Sequence, residues 1–372
     1  MRWRPWLPGE APVSEHTPDG GVPLAPLTTL GVGGAARWFT RAADAAALGA
    51  AHRWSASRGV PLVVLGGGSN VVVADGVIDA HIVHVAPAGI AVEDIRGVAR
   101  LRVAAGTSWA EVVDVAVSRG LAGVECLAGI PGSAGGTPIQ NVGAYGQEVA
   151  AVIETVTALD RREGRTVALP AEACGFGYRT SRFRGADAGR FLISEVCYRL
   201  RPGPATITYP DLVRHLAEAR VVAPDLPSVR DAVLAVRRRK GMVLDAGDPD
   251  TRSVGSFFVN PVVPARDYTR LRAAHGEVPG YPQGDEVKVP AAWLIERAGF
   301  PRGHTVGEVG VSTKHPLAIV ARPGARADNV VSLAVAIKRC VAERFGVALA
   351  AEPVFVGFGG DPGVAYLRER GA

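Results

Sequence analysis

IPGSAGGTPIQNVGAYG, Ile130 to Gly146, packs five glycines and two prolines into one uncharged run. Glycine raises the entropy cost of regular structure and proline removes a backbone donor, so the run makes neither a good helix nor an uninterrupted strand. It is a shaped loop. It offers backbone N–H groups that a ligand can approach closely, and Ser133, Thr137, Gln140, Asn141 and Tyr145 add side-chain hydrogen bonds. That set suits a phosphate-bearing ligand, whereas an ordinary surface connection of this length would mix in charge.

A second glycine loop, Gly66 to Asn70 (GGGSN), lies between the apolar runs PLVVL (61–65) and VVVA (71–74). Both runs are rich in β-branched residues, so the order is strand, loop, strand. A dinucleotide-binding βαβ unit needs its glycines to open a helix, and its third glycine position is Val71 here, which argues against that fold. Two uncharged glycine loops borne on strands are better explained by one shared phosphate ligand.

The remaining chain sets the frame. With 372 residues, it is long enough for two or three domains. A formal charge of +5, with scattered arginines apart from Arg237, Arg238, Arg239 and Lys240, favours an anionic small ligand over nucleic acid. Cys126, Cys174, Cys197 and Cys340 are widely separated in apolar sequence and read as reduced core residues, with no metal site. The first twenty residues carry no apolar signal core and no apolar run reaches membrane-spanning length, so a cytoplasmic protein with no membrane span is expected.

Helices are expected at 44–58, from Ser108 with Glu111 as a capping box, at 228–240, 291–298 and 328–345, and antiparallel strands at 152–160, 166–169 and 191–200. The fold class is α+β. The expected organisation is a flexible tail over 1–20 and a ligand-binding domain over 21–200 in two subdomains (about 21–78 and 79–200). A linker and substrate loop over 201–227, a C-terminal domain over 228–358 with a closing strand, and a tail over 359–372 follow.

TTLGVGGAARWF (28–39), VLGGGSN (64–70), the loop at 130–146, CGFGYRTSRF (174–183), GSFFVNP (255–261) and LAAEPVFVGF (349–358) occur in one order. Together they resemble the flavin-dependent UDP-N-acetylenolpyruvoylglucosamine reductases. The resemblance implies an FAD-binding fold of the vanillyl-alcohol-oxidase (PCMH) type, with two subdomains clasping non-covalent FAD and a C-terminal α+β domain covering the substrate. It implies NADPH as co-substrate, formation of UDP-N-acetylmuramate for peptidoglycan and cell-wall synthesis, small-molecule partners alone, and a monomer.

By the same resemblance, Gly66, Gly67, Gly68, Ser69 and Asn70 bind the cofactor from the first loop. Ile130, Pro131, Gly132, Ser133, Gly136, Thr137, Gln140, Asn141, Gly143, Ala144 and Tyr145 do so from the second. Arg179, Ser256 and Glu352 match the catalytic positions. A guanidinium grips a carboxylate bidentately and favours charge spreading onto it, which suits Arg179; Arg182 and Arg184 read as surface residues. Ser256, between a glycine and two aromatics, can protonate a carbanion only when held in a dry site, and it matches the proton donor.

Glu352 lies between apolar runs, as an interior or site carboxylate would. Its setting, Ala350-Ala351-Glu352-Pro353, carries a single acid, followed by proline, where members of the family it resembles often have two. Tyr178, Tyr209, Lys240, Asn260, Lys288 and His315 are the substrate-side candidates, with Tyr209 on a closing loop, Lys240 and Asn260 at phosphate oxygens, and Glu296 weaker. Two rivals stand beside this: another FAD-dependent oxidase of the same fold acting on an alcohol, and a non-catalytic nucleotide-binding protein.

Overall fold

The computed structural model describes residues 17–86 and 88–369. Most of the expected N-terminal tail and the last three residues of the expected C-terminal tail lie outside the described residues. The chain divides into two compact units. The first comprises the stretch ending at Val22 with Ala36–Gly68 and Asp79–Arg239; the second comprises Pro23–Ala35, Ser69–Ile78 and Lys240–Ala372. Both mix helices with strands, which is the expected α+β class.

The larger sheet of the first unit runs Arg165–Pro170, Ile153–Asp160, Phe191–Pro202, Val98–Ala104, Ile90–Ile95, all neighbours antiparallel. Alternation drives it: Val156, Ala158 and Asp160 are buried and the residues between them less so, the period-two pattern of a one-sided strand. Val156 pairs with Val196, which pairs with Val103. Against this face lies Trp109, its ring centroid 5.6 Å from that of Tyr198, both fully buried. The edge strand Ile90–Ile95 was not foreseen, since its second half, Glu93 to Ile95, is exposed and keeps no apolar alternation.

A smaller sheet runs Val22–Pro23, Ala35–Ala42, Val77–Val85, Leu62–Leu65. Leu62–Leu65 lies parallel to Val77–Val85. Helix Ala45–Arg58 precedes it, started by the Asp44 carboxylate accepting from Ala47 N and stopped by Gly59 in the left-handed region at φ 64°.

Three boundaries differ from the sequence reading. The capping box at Ser108 does not form, for the Ser108 side chain makes no cap bond. Ser108 instead pairs with Ser133 of the glycine loop, and Trp109 N donates to Gly132 O at 3.0 Å. The helix expected at 228–240 is Leu226–Arg239, because the Asp225 carboxylate, which accepts from Ser228 N at 2.9 Å, is the capping group. The stretch 201–227, read as linker, contains helix Pro210–Glu218, with proline at its first turn.

The second unit is built from short strands and four helices among its described residues, Ala265–His275, Ala291–Arg297, Ala327–Phe345 and Pro362–Arg368. Strand Val354–Val356 runs parallel to Val71–Val73. Helix Ala265–His275 buries only Leu271, so it left no apolar period to read. Within the expected C-terminal tail, helix Pro362–Arg368 is tied down by Lys338, buried at 2% exposure. Its ammonium donates to the carbonyls of Tyr366 and Glu369, each at 2.6 Å.

Candidate active site

In the first unit the two glycine loops touch backbone to backbone. A Cβ on Gly67 would stand 2.6 Å from Gly132 Cα, and one on Gly66 would stand 2.9 Å from Ser133 Oγ. Only glycine permits that approach, so the loops form one surface of bare peptide groups. A strand, Val71–Val73, follows the first loop, as the argument against a dinucleotide-binding βαβ unit required. The cradle fits a group held by peptide N–H donors, as the phosphates of a flavin dinucleotide would be.

The long loop is held in shape from within. Thr137 and Asn141, both nearly inaccessible, direct their side chains into protein: Thr137 Oγ1 lies 2.7 Å from Tyr198 OH, and Asn141 Nδ2 donates to Glu148 Oε2 at 2.8 Å. Gln140 Oε1 accepts from Arg184 at 2.6 Å. Arg184 therefore braces the loop, and Arg182 braces Asp187 and Ala173 O, where surface positions were expected. Asn141 and Tyr145 both occupy the left-handed region at φ 49°, which asparagine enters readily but a tyrosine adopts only when its surroundings enforce it.

Arg179 and Tyr145 lie at the far end of this loop. Arg179 Nη2 donates to Gly143 O at 2.7 Å, and Arg179 is itself left-handed at φ 53°. The Tyr145 ring meets Tyr209 edge-on, centroids 5.1 Å apart. Tyr178 and Tyr209 are both exposed. The segment before Tyr209 is stitched to residues on either side of this loop, for Gln147 Nε2 donates to Thr206 Oγ1 at 3.0 Å and Thr206 N donates to Glu125 Oε1 at 2.8 Å.

Sequence reasoning missed Glu125, Gln147 and Arg237. Arg237 was read as part of a basic patch, yet it is only 7% exposed. Burial lowers its pKa, while a hydrogen bond to Tyr145 opposes that shift. Its spacing from the buried Val229 and Val233 was the legible signal: 229, 233 and 237 share one helix face.

The remaining candidates belong to the second unit. Ser256 Oγ lies 3.2 Å from His315 Nε2, and both residues are half-buried. Glu352 N donates to Phe257 O at 2.9 Å, and Ala351 pairs with Phe258. Ser256 and Glu352, remote in sequence, thus lie on adjoining hydrogen-bonded segments. The Asn70 amide donates to Glu352 O at 3.3 Å.

Asn260 Oδ1 accepts from Ala291 N at 2.9 Å, capping helix Ala291–Arg297 from a distance. Lys288 ends a strand that pairs with Val262 and Tyr281. Lys240 follows helix Leu226–Arg239 and precedes Gly241, left-handed at φ 63°. Glu296 is paired with Arg302 at 3.4 Å.

Cys126, Cys174 and Cys197 are buried thiols and Cys340 is partly buried, all free. Desolvation pushes the Cys126 and Cys197 thiols up to about 12 and Cys174 to about 11, so they are inert at neutral pH. No helix among the described residues is long and apolar enough to cross a membrane.

The family model for the UDP-N-acetylenolpyruvoylglucosamine reductase C-terminal domain matches residues 248–356, and that for an FAD binding domain matches residues 36–169. UDP-N-acetylenolpyruvoylglucosamine reductase of Thermobifida fusca is 46% identical over 90% of this chain and 97% of its own length. The Streptomyces coelicolor protein of the same name is 45% identical over 90% and 89%. The crystal structure of the reductase from Thermus caldophilus superposes with a TM-score of 0.61 at 26% identity, covering 90% of this chain and 97% of that one.

Proposed function

The chain belongs to the UDP-N-acetylenolpyruvoylglucosamine reductase family, and from that premise we infer that Arg179, Ser256 and Glu352 carry its chemistry. It is an FAD-dependent oxidoreductase that reduces the enolpyruvyl group of its UDP-sugar substrate in peptidoglycan synthesis. The glycine surface of Gly66–Gly68 and Gly132–Gly136 would hold the phosphates of FAD without covalent attachment, and FAD, when bound, would supply hydride transfer from NADPH to the enolpyruvyl double bond.

Arg179 grips the substrate carboxylate and favours the negative charge that spreads onto it. Ser256 gives a proton to the carbon beside that carboxylate, its hydroxyl held by His315. Glu352 is the third catalytic residue. Lys240, Asn260, Lys288 and His315 serve the nucleotide diphosphate side, and Tyr178 and Tyr209 close over the substrate. Flavin binding falls to 21–200 and substrate binding to 228–358. NADPH and substrate use the same place in turn, and the protein works as a cytoplasmic monomer.

The observation that carries this reading is the bond from Glu352 N to Phe257 O at 2.9 Å, which seats the glutamate beside the serine segment. The test is a paired anaerobic stopped-flow measurement. NADPH should bleach the flavin absorbance of the purified protein, and the enolpyruvyl nucleotide should restore it. Restoration by oxygen alone would favour an alcohol oxidase, and a colourless protein that cannot take up FAD would favour a binding protein.

A further inference from the structure

We infer that Asp250 is a positioning residue that acts through His315 on Ser256, a role that rests on the reading of Ser256 as proton donor. His315 ends an irregular turn, Ser312 to His315, that follows strand Val309–Val311. Backbone without a ladder or a helix does not by itself keep an imidazole 3.2 Å from a hydroxyl, so the aim of the ring must come from side chains that grip the turn. Asp250 supplies that grip. Its carboxylate is only 3% exposed, and Oδ2 accepts from both Thr313 N at 3.0 Å and Thr313 Oγ1 at 2.6 Å. A buried carboxylate needs donors to offset its lost hydration, and the turn provides them.

The neighbouring residues are fixed as well. Lys314 Nζ pairs with Asp248 Oδ2 at 2.5 Å, and Asp248 Oδ1 accepts from Asp250 N at 3.1 Å. The Ser312 hydroxyl, on a fully buried residue, accepts from Lys314 N and His315 N, each at 3.1 Å. Beyond the histidine, Phe257 N donates to Leu317 O at 2.7 Å, and Ser253 bridges to Val320. Asp250 thus holds the chain before His315 and Phe257 holds it after, while the ring between them meets Ser256. The carboxylate works by placing the imidazole and leaves the proton transfer to the serine.

The test uses the full-length holoenzyme at saturating NADPH and saturating enolpyruvyl nucleotide. Asp250→Ala removes both bonds to Thr313, Asp250→Asn keeps an oxygen that can accept them, and Thr313→Val removes the hydroxyl bond alone, which keeps the test decisive if Asp250→Ala does not fold. Flavin content and bleaching by NADPH should stay within about twofold of the parent in each. Restoration of the absorbance by the nucleotide should slow roughly tenfold to a hundredfold in Asp250→Ala and roughly three- to tenfold in Thr313→Val. Asp250→Asn should recover to within about threefold of the parent. Adding Thr313→Val to His315→Ala should cause no further slowing, because the grip acts through the imidazole.

Equal slowing of bleaching and restoration, loss of flavin, Asp250→Asn as slow as Asp250→Ala, or an additive effect in the double variant would overturn the inference. Slow Ser256→Ala with normal Thr313→Val would remove this inference alone. Normal Ser256→Ala would remove the donor reading and the inference with it.

Discussion

Arg179 Nη2 donates to Gly143 O at 2.7 Å while its own backbone sits at φ 53°. A left-handed arginine costs conformational energy, which the surrounding contacts must offset. Strain of this kind, placed at a residue whose guanidinium touches the glycine loop, suits a group that must be aimed before substrate arrives.

Replacing Arg179 by lysine keeps the charge and removes the planar fork. The expected result is a substrate half-reaction slower by on the order of a hundredfold, with NADPH bleaching little changed. Stopped-flow absorbance of each half-reaction measures this. Normal turnover of Arg179→Lys would sink the assignment.

Ser256→Ala removes the hydroxyl that lies 3.2 Å from His315 Nε2. Loss of a positioned proton donor should slow restoration of the flavin absorbance by about 10²–10⁴ and leave bleaching intact. If both steps slow alike, the serine is not the donor.

Gly67→Ala puts a methyl 2.6 Å from Gly132 Cα, and backbone cannot swing aside as a side chain can. The cost should be roughly 1–3 kcal/mol of stability, with flavin uptake lost. Gly66→Ala meets the rotatable Ser133 Oγ at 2.9 Å and should be milder. Melting temperature and the ratio of flavin to protein absorbance read both, and equal behaviour of the two variants would count against the cradle.

Asp160 accepts from Arg190 at 2.6 Å, and that guanidinium holds its carboxyl down to about 2. A depressed carboxyl favours the folded state above the usual carboxylate range and loses that contribution as pH falls toward its folded value. Urea midpoints should therefore drop between about pH 5 and about pH 2. Asp160→Asn should be less stable at neutral pH and should flatten that drop; an unchanged acid limb would remove the pair from the account.

The glycine loops, the β-branched runs beside them and the long helices were legible because their signals are local. The helix-stopping Gly59 and Gly346, both at φ 64°, are examples. What escaped was decided by distant partners. Ser108 pairs with Ser133 of the glycine loop and makes no cap bond, Arg237 turns inward to Tyr145, and helix Ala265–His275 forms with a single buried residue. Arg179, Ser256 and Glu352 stood out through family resemblance, since an arginine after tyrosine or a serine after glycine carries no chemistry in its spacing.

The parallel pairing of Val71–Val73 with Val354–Val356 also sets a timetable for biosynthesis. At about 5–20 residues per second, roughly 15–60 s pass on the ribosome between the emergence of the two strands. Throughout that interval the earlier strand has no partner there, and its unpaired edge is open to chaperones or to neighbouring nascent chains. The first unit can collapse on its own sheet early, whereas the second must wait, so slow translation or truncation ahead of residue 354 should yield chains that are half folded and prone to aggregate.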